Sequence, residues 1–174
     1  MRGNWFFPNL WRFLSLLAVQ GLVLSDISYN TDGYVSILLY PLFILLLPIQ
    51  MSVPLVVLAG FFAGITVDAF TGTFGLHASA GAFSGYARAL LLERFAPQGG
   101  YTGKEPIASP VYFGWQWFLS VAAIFFALHL LWYFSVAYFT PVYFFSKILP
   151  QMLLSWISTL PVVVVWVRLF YPRN

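Results

Sequence analysis

Two G-x-x-x-G pairs constrain this chain more than any other feature. Gly60/Gly64 and Gly81/Gly85 each sit in an apolar segment of the stretch GFFAGITVDAFTGTFGLHASAGAFSGYAR, residues 60–88. On a helix, positions four apart share a face, and glycine there lets another helix's backbone come close. Between the pairs runs a short connection carrying Asp68, Thr71, Gly72, Thr73, Gly75 and His77. An aspartate ending one apolar helix and a histidine opening the next are costly in lipid unless they reach water or a partner. The stretch therefore predicts a tight hairpin of two membrane helices with a dense polar cluster at its tip.

Such a hairpin needs a membrane class of protein around it, and the composition agrees. Only 7% of the 174 residues are charged and 61% are hydrophobic, with a mean hydropathy of +0.85. Soluble domains carry about 25% charged residues, and eight basic plus five acidic side chains cannot cover a water-facing surface of this size. The apolar runs are continuous rather than alternating, which argues for helices and against an outer-membrane barrel. The fold class expected is an all-α polytopic membrane protein of six short helices in a single domain, at about 20 residues per span or fewer where the membrane is thin. The absence of cysteine excludes disulfides, thiolate metal sites and cysteine nucleophiles. A net charge of +3, spread along the chain, gives no nucleic-acid footprint.

In chain order, helices are expected over about 9–25, 34–47, 51–68, 76–92, 115–137 and 150–170. Arg12 interrupts the first apolar run and no small-x-small cleavage site follows, so the first segment is expected to stay as a helix. Residues 26–33 read as a polar loop, 48–54 as a brief turn, and 93–110, ERFAPQGGYTGKEPIASP, as a long one. Residues 141–149 read as an interfacial lead-in, and Pro161 as a kink in the last helix. With six spans, one side receives Arg2, Arg12, Arg88, Arg94, Lys104, Arg168 and Arg173, seven of the eight basic residues. The other receives Asp26, Asp32 and Asp68. Positive charge stays inside, so both termini are expected in the cytoplasm and the Asp68–His77 turn outside, in a bacterial inner membrane.

Candidate chemistry is sparse. Asp68 and His77 sit on opposite arms of the hairpin and can meet across its tip, with Thr66, Thr71, Thr73 and Ser79 nearby. They read as a turn cap with a hydrogen-bonded histidine, as a contact for a partner or ligand, or, least of all, as a catalytic pair. The glycine pairs serve packing within the chain or contact with another subunit. His129, in the fifth helix among Phe125, Phe126 and Trp132, reads as a neutral buried histidine, with Gln20, Gln116 and Gln151 as its only polar company in sequence. The RALLLER run from Arg88 to Arg94 reads as a cytoplasmic helix end at phospholipid headgroups, and Trp5, Trp11, Trp115, Trp117, Trp132, Trp156, Trp166 and Tyr171 as interfacial anchors. No phosphate loop, dinucleotide fingerprint or zinc-protease motif occurs, so the expectation is no cofactor, no metal and no enzyme.

G-x-x-x-G-x-x-x-D, then G-L-H and a second small-residue helix, resembles the rod shape-determining MreD family. The matching positions are Gly60, Gly64, Asp68, Gly75, Leu76, His77, Gly81, Gly85 and Tyr86. The length and span number are similar over the whole chain, and the motif over residues 59–92. The glycine-rich loop and aromatic content are similar to members from Bacteroidetes-type bacteria. The resemblance implies a non-enzymatic inner-membrane subunit of the cell-elongation machinery. Its partner would be MreC, and through it the MreB filament and a SEDS glycosyltransferase paired with a penicillin-binding transpeptidase. It also implies a fold similar to the S component of energy-coupling-factor vitamin transporters. An S component itself is the alternative reading. It calls for an A-x-x-x-A face on the first helix, which LWRFLSLLAVQGLVLS lacks.

Overall fold

A computed structural model describes residues 6–24, 30–31, 34–103 and 105–171, with side-chain surroundings from residue 10 onward. Arg2, Trp5, Lys104, Arg173, and Asp26 and Asp32 of the expected polar loop lie outside the described residues. The elements are helical throughout, with no strand among the described residues. α1 spans Phe6–Val19 and continues through one π-helical turn, Gln20–Leu24. A short α2, Pro41–Leu45, precedes the two arms of the hairpin, α3 at Val53–Thr71 and α4 at Leu76–Arg94. A single turn, α5 at Pro110–Phe113, leads into α6, Trp115–Tyr138. Residues Pro141–Tyr143 and Phe144–Ile148 form 3-10 and π turns that run into α7, Leu149–Phe170, which contains Pro161.

Three helical runs are long and apolar enough to cross a membrane: Val53–Thr71, Trp115–Tyr138 and Pro141–Phe170. This fits an α-helical membrane protein. α3 shows why. Its inward face is Val56, Gly60, Ala63, Gly64, Val67 and Asp68, while Leu55, Leu58, Phe61, Phe62 and Ile65 point outward. Large apolar side chains on an outer surface are stable where the solvent is hydrocarbon. Proline within the first turn starts α3, and Gly72 in the left-handed region (φ +69°) ends it.

The helix expected over 34–47 is the main correction. Residues 35–39 lack helical structure, and only Pro41–Leu45 is helical. Proline is the physical reason: in a continuous helix the Ile37 carbonyl would accept from the N–H of residue 41, and Pro41 has none. That carbonyl accepts instead from Gln20 Nε2 at 3.1 Å. The segment is also the centre of the molecule. Residues 38–47 are buried without a break, with Leu39, Tyr40, Leu42, Ile44 and Leu45 at 0% exposure. α1, α3, α4 and α6 all pack against α2.

A buried stretch that is not helical must find partners for its peptide groups elsewhere. Here they come from polar side chains far away in sequence. Ser36 N–H donates to Ser155 Oγ (2.9 Å) and Leu38 N–H to Thr159 Oγ1 (3.3 Å), two hydroxyls one helical turn apart on α7. Leu39 and Tyr40 N–H both donate to Gln20 Oε1, at 2.6 and 3.3 Å. Past α2, Arg88 on α4 holds the last carbonyls: Nε donates to Leu45 (3.2 Å) and Nη2 to Leu47 (2.5 Å) and Pro48 (3.2 Å). Arg88, read from sequence as part of a helix end at phospholipid headgroups, is 2% exposed and caps α2.

The 95–109 connection folds back over this end. Ile49 N–H donates to the Pro106 carbonyl (3.0 Å), and Tyr101 donates to the Leu92 carbonyl (2.6 Å). Burial raises the Tyr101 phenol above its ordinary range, against a smaller opposite pull from Arg88, and it stays protonated for that bond. Several of the expected interfacial tryptophans also have partners within the chain. Trp117 donates to Phe95 O (2.7 Å), Trp156 to Ala123 O (2.8 Å), and Trp132 stacks on Phe83 at 4.3 Å.

Candidate functional site in the α3–α4 hairpin

The four glycines of the two G-x-x-x-G pairs all face backbone of the opposite arm. A Cβ placed on Gly60 would meet the Gly81 carbonyl, and one on Gly81 would meet the Gly60 carbonyl. On Gly64 it would strike the His77 carbonyl, and on Gly85 it would come to 2.7 Å from Val57 Cα. The arms are therefore in backbone contact along their length, and no side chain larger than hydrogen fits at these positions. The glycine faces are occupied within the chain, so a second subunit's helix has no access to them.

Asp68 closes the tip. Its Oδ1 accepts from His77 N–H (3.0 Å) and from Thr73 Oγ1 (2.6 Å), and its Oδ2 accepts from Ala78 N–H (3.0 Å). Thr73 in turn shares a 2.8 Å hydrogen bond with Thr71. The first N–H groups of α4 have no intrahelical acceptor, and the residue in the cap position, Gly75 at φ +82°, has no side chain to offer one. The cap is supplied across the hairpin from the last turn of α3. A carboxylate at a helix N-terminus also meets the positive end of the dipole. With three donors on it, the Asp68 carboxyl is engaged in holding the turn.

Beneath the tip lies a polar network that sequence spacing did not reveal. Tyr40, from the non-helical segment, donates its phenol proton to the His77 carbonyl (3.1 Å). Its oxygen is 3.2 Å from His129 Nε2 on α6, and His129 Nδ1 is 2.6 Å from Ser84 Oγ on α4. Tyr40 has one proton, and giving it to the carbonyl makes His129 Nε2 the donor and Nδ1 the acceptor from Ser84. His77 is 3% exposed, its ring lies 4.9 Å from the Tyr133 ring and 5.7 Å from that of Tyr40, and its Nδ1 has no hydrogen-bond partner among the described residues.

Of the residues singled out by sequence, Gly60, Gly64, Asp68, Gly75, His77, Gly81 and Gly85 come together in one block. Tyr86 is 55% exposed and stands outside it. Thr71 and Thr73 join the cap, whereas Thr66 and Ser79 bond back to carbonyls of their own helices. His129 has Tyr40 and Ser84 for company, not the expected glutamines. Gln20 holds the non-helical segment, and Gln151 accepts from Tyr138 (2.9 Å). Tyr40 and Ser84 were missed because nothing in their local sequence marks them; Pro41 next to Tyr40 was the one usable signal. No group of three or more His, Asp or Glu is placed to hold a metal among the described residues. The arrangement is suited to rigid positioning of helices. No protein-family model, curated protein or solved structure matches the chain.

Proposed function

We propose that this chain is a non-enzymatic, MreD-like scaffold of a bacterial inner membrane, a rigid helical block that carries a partner of the MreC type. In this reading the MreB filament and the SEDS glycosyltransferase–transpeptidase pair are reached through that partner. The six apolar segments form one unit similar to an S component, with both termini cytoplasmic and the Asp68–His77 tip outside. The observation that carries the reading is the use of the polar groups at the tip. Asp68 accepts three hydrogen bonds, and Tyr40, His129 and Ser84 are chained to one another. The motif residues serve rigidity, and the outer faces of the hairpin, including Leu58, Phe61, Phe62, Tyr86 and Leu90, are left for a partner.

The test is affinity purification of the tagged protein from its native membrane in mild detergent, with the co-purifying proteins identified. Recovery of MreC with cell-wall synthases is the expected result. Recovery of an ATPase pair with a coupling membrane subunit would overturn it and make the chain a transporter component.

A further inference from the structure

A cleft of about 360 Å³ opens between the start of α3 and the end of α4, on the far side of the hairpin from its tip. Its walls include Val53, Val56 and Leu92, with Tyr101 of the folded-back connection at one edge and Arg88 and Glu93 both reaching it. We propose that this cleft binds the headgroup of a zwitterionic aminophospholipid, with the phosphate on Arg88 and the primary ammonium on Glu93.

Arg88 brings an unbalanced charge to the cleft. Arg88 is 98% buried, and its three hydrogen bonds all go to neutral main-chain carbonyls, from Nε and Nη2. Those carbonyls satisfy hydrogen-bond geometry without supplying a negative charge. Nη1 has no hydrogen bond from the described residues, and Arg88 is one of the residues lining the cleft. A cation held this way inside a membrane protein is costly unless an anion completes it. A phosphate oxygen fits a guanidinium best among membrane anions.

Glu93 then selects among phosphates. It is exposed, and it follows Arg88 by five residues, roughly 7.5 Å nearer the end of α4. A carboxylate beside a simple phosphate site is repulsive, so a free phosphate or an anionic headgroup is disfavoured. A headgroup that carries a phosphate and, one short linker nearer water, an ammonium with three N–H donors matches both charges in order of depth. A quaternary ammonium keeps the charge but cannot donate. The apolar wall of Val53, Val56 and Leu92 suits the first methylenes of the acyl chains, which ties the headgroup to a lipid. The site is independent of any protein partner.

The test is native mass spectrometry of the purified full-length protein in detergent, titrated with phosphatidylethanolamine, phosphatidylcholine or phosphatidylglycerol, and separately with inorganic phosphate as competitor. Retention is expected to favour phosphatidylethanolamine about tenfold over the other two, the value of one charge-assisted hydrogen bond. Glu93→Gln, an exposed change that leaves the helix intact, is expected to erase that preference while phospholipid binding persists. Arg88→Lys, which keeps a donor for the α2 carbonyls, is expected to weaken all three lipids. Equal retention of the three lipids, an unchanged preference in Glu93→Gln, or displacement of the lipid by inorganic phosphate would each overturn the proposal.

Discussion

The α3–α4 hairpin and the 34–47 segment meet the same requirement, burial of peptide groups away from water, in opposite ways. Along the arms of the hairpin the peptide groups pair within their own helices, with Asp68 meeting the first amides of α4, so the arms need only come close, and glycine allows that. In the 34–47 segment Pro41 breaks the internal pairing, and amides and carbonyls on both sides of it are met by side chains from other helices: Gln20, Ser155, Thr159 and Arg88. The first solution depends on what is missing from the side chains. The second depends on polar groups placed where an apolar residue would otherwise be favoured. Steric fit therefore governs one region, and hydrogen-bond satisfaction the other.

The largest effect is expected from Gly64→Leu. Its Cβ alone collides with backbone at His77 and Ala78, which cannot move aside as a flexible side chain can. The arms must separate, at a cost of more than about 3 kcal/mol, and thermal unfolding in detergent should show loss of the folded monodisperse species. Gly72→Ala is the control, because a Cβ there meets nothing and only the left-handed φ is strained, at about 1 kcal/mol. Equal loss from both would break the steric account.

Gln20→Leu should follow. It makes the chain more apolar, yet it strands the Leu39 and Tyr40 amides and the Ile37 carbonyl in the core, at about 1–3 kcal/mol for each buried group left unpaired. A thermal midpoint at or above that of the wild type would show that the 34–47 segment does not rely on its side-chain partners.

Asp68→Asn should cost less than either, about 1–3 kcal/mol. Asn keeps one acceptor oxygen where Asp68 uses two, and its amide nitrogen then faces an N–H of α4. Hydrogen exchange at the His77 and Ala78 amides reads this directly, and protection there should fall while α3 stays protected. Asp68→Asn unfolding the protein while Gly64→Leu does not would reverse the ranking of cap and contact. The smallest effect belongs to Tyr86→Phe, on the exposed face, where a stability change within about 0.5 kcal/mol is expected. If the scaffold reading holds, the same change is a sensitive place to look for weaker recovery of the partner.

The difference between the two regions also explains which of them could be read in advance. The hairpin rests on positions four and nine residues apart, and such spacings translate directly into shared faces and a cap across a turn. Tyr40, Gln20, Ser84, Ser155 and Thr159 lie 17 to 121 residues from the groups they hold. No local pattern connects them. Arg88 shows the limit most clearly: near the end of an apolar helix it reads as a headgroup contact, and its position in sequence gives no sign that it also caps α2.

Composition and continuous apolar runs by themselves determined the helical, membrane-type character of this protein, because too few charges are present to cover a surface in water. The glycine spacing determined that α3 and α4 lie backbone to backbone, since the separation of positions on one helix is fixed by its pitch. The interior was decided by tertiary structure alone. Once Pro41 removes a helix hydrogen bond, the freed groups take whichever partners the packing of α1, α4, α6 and α7 brings within about 3 Å, and that proximity exists only after the chain has folded.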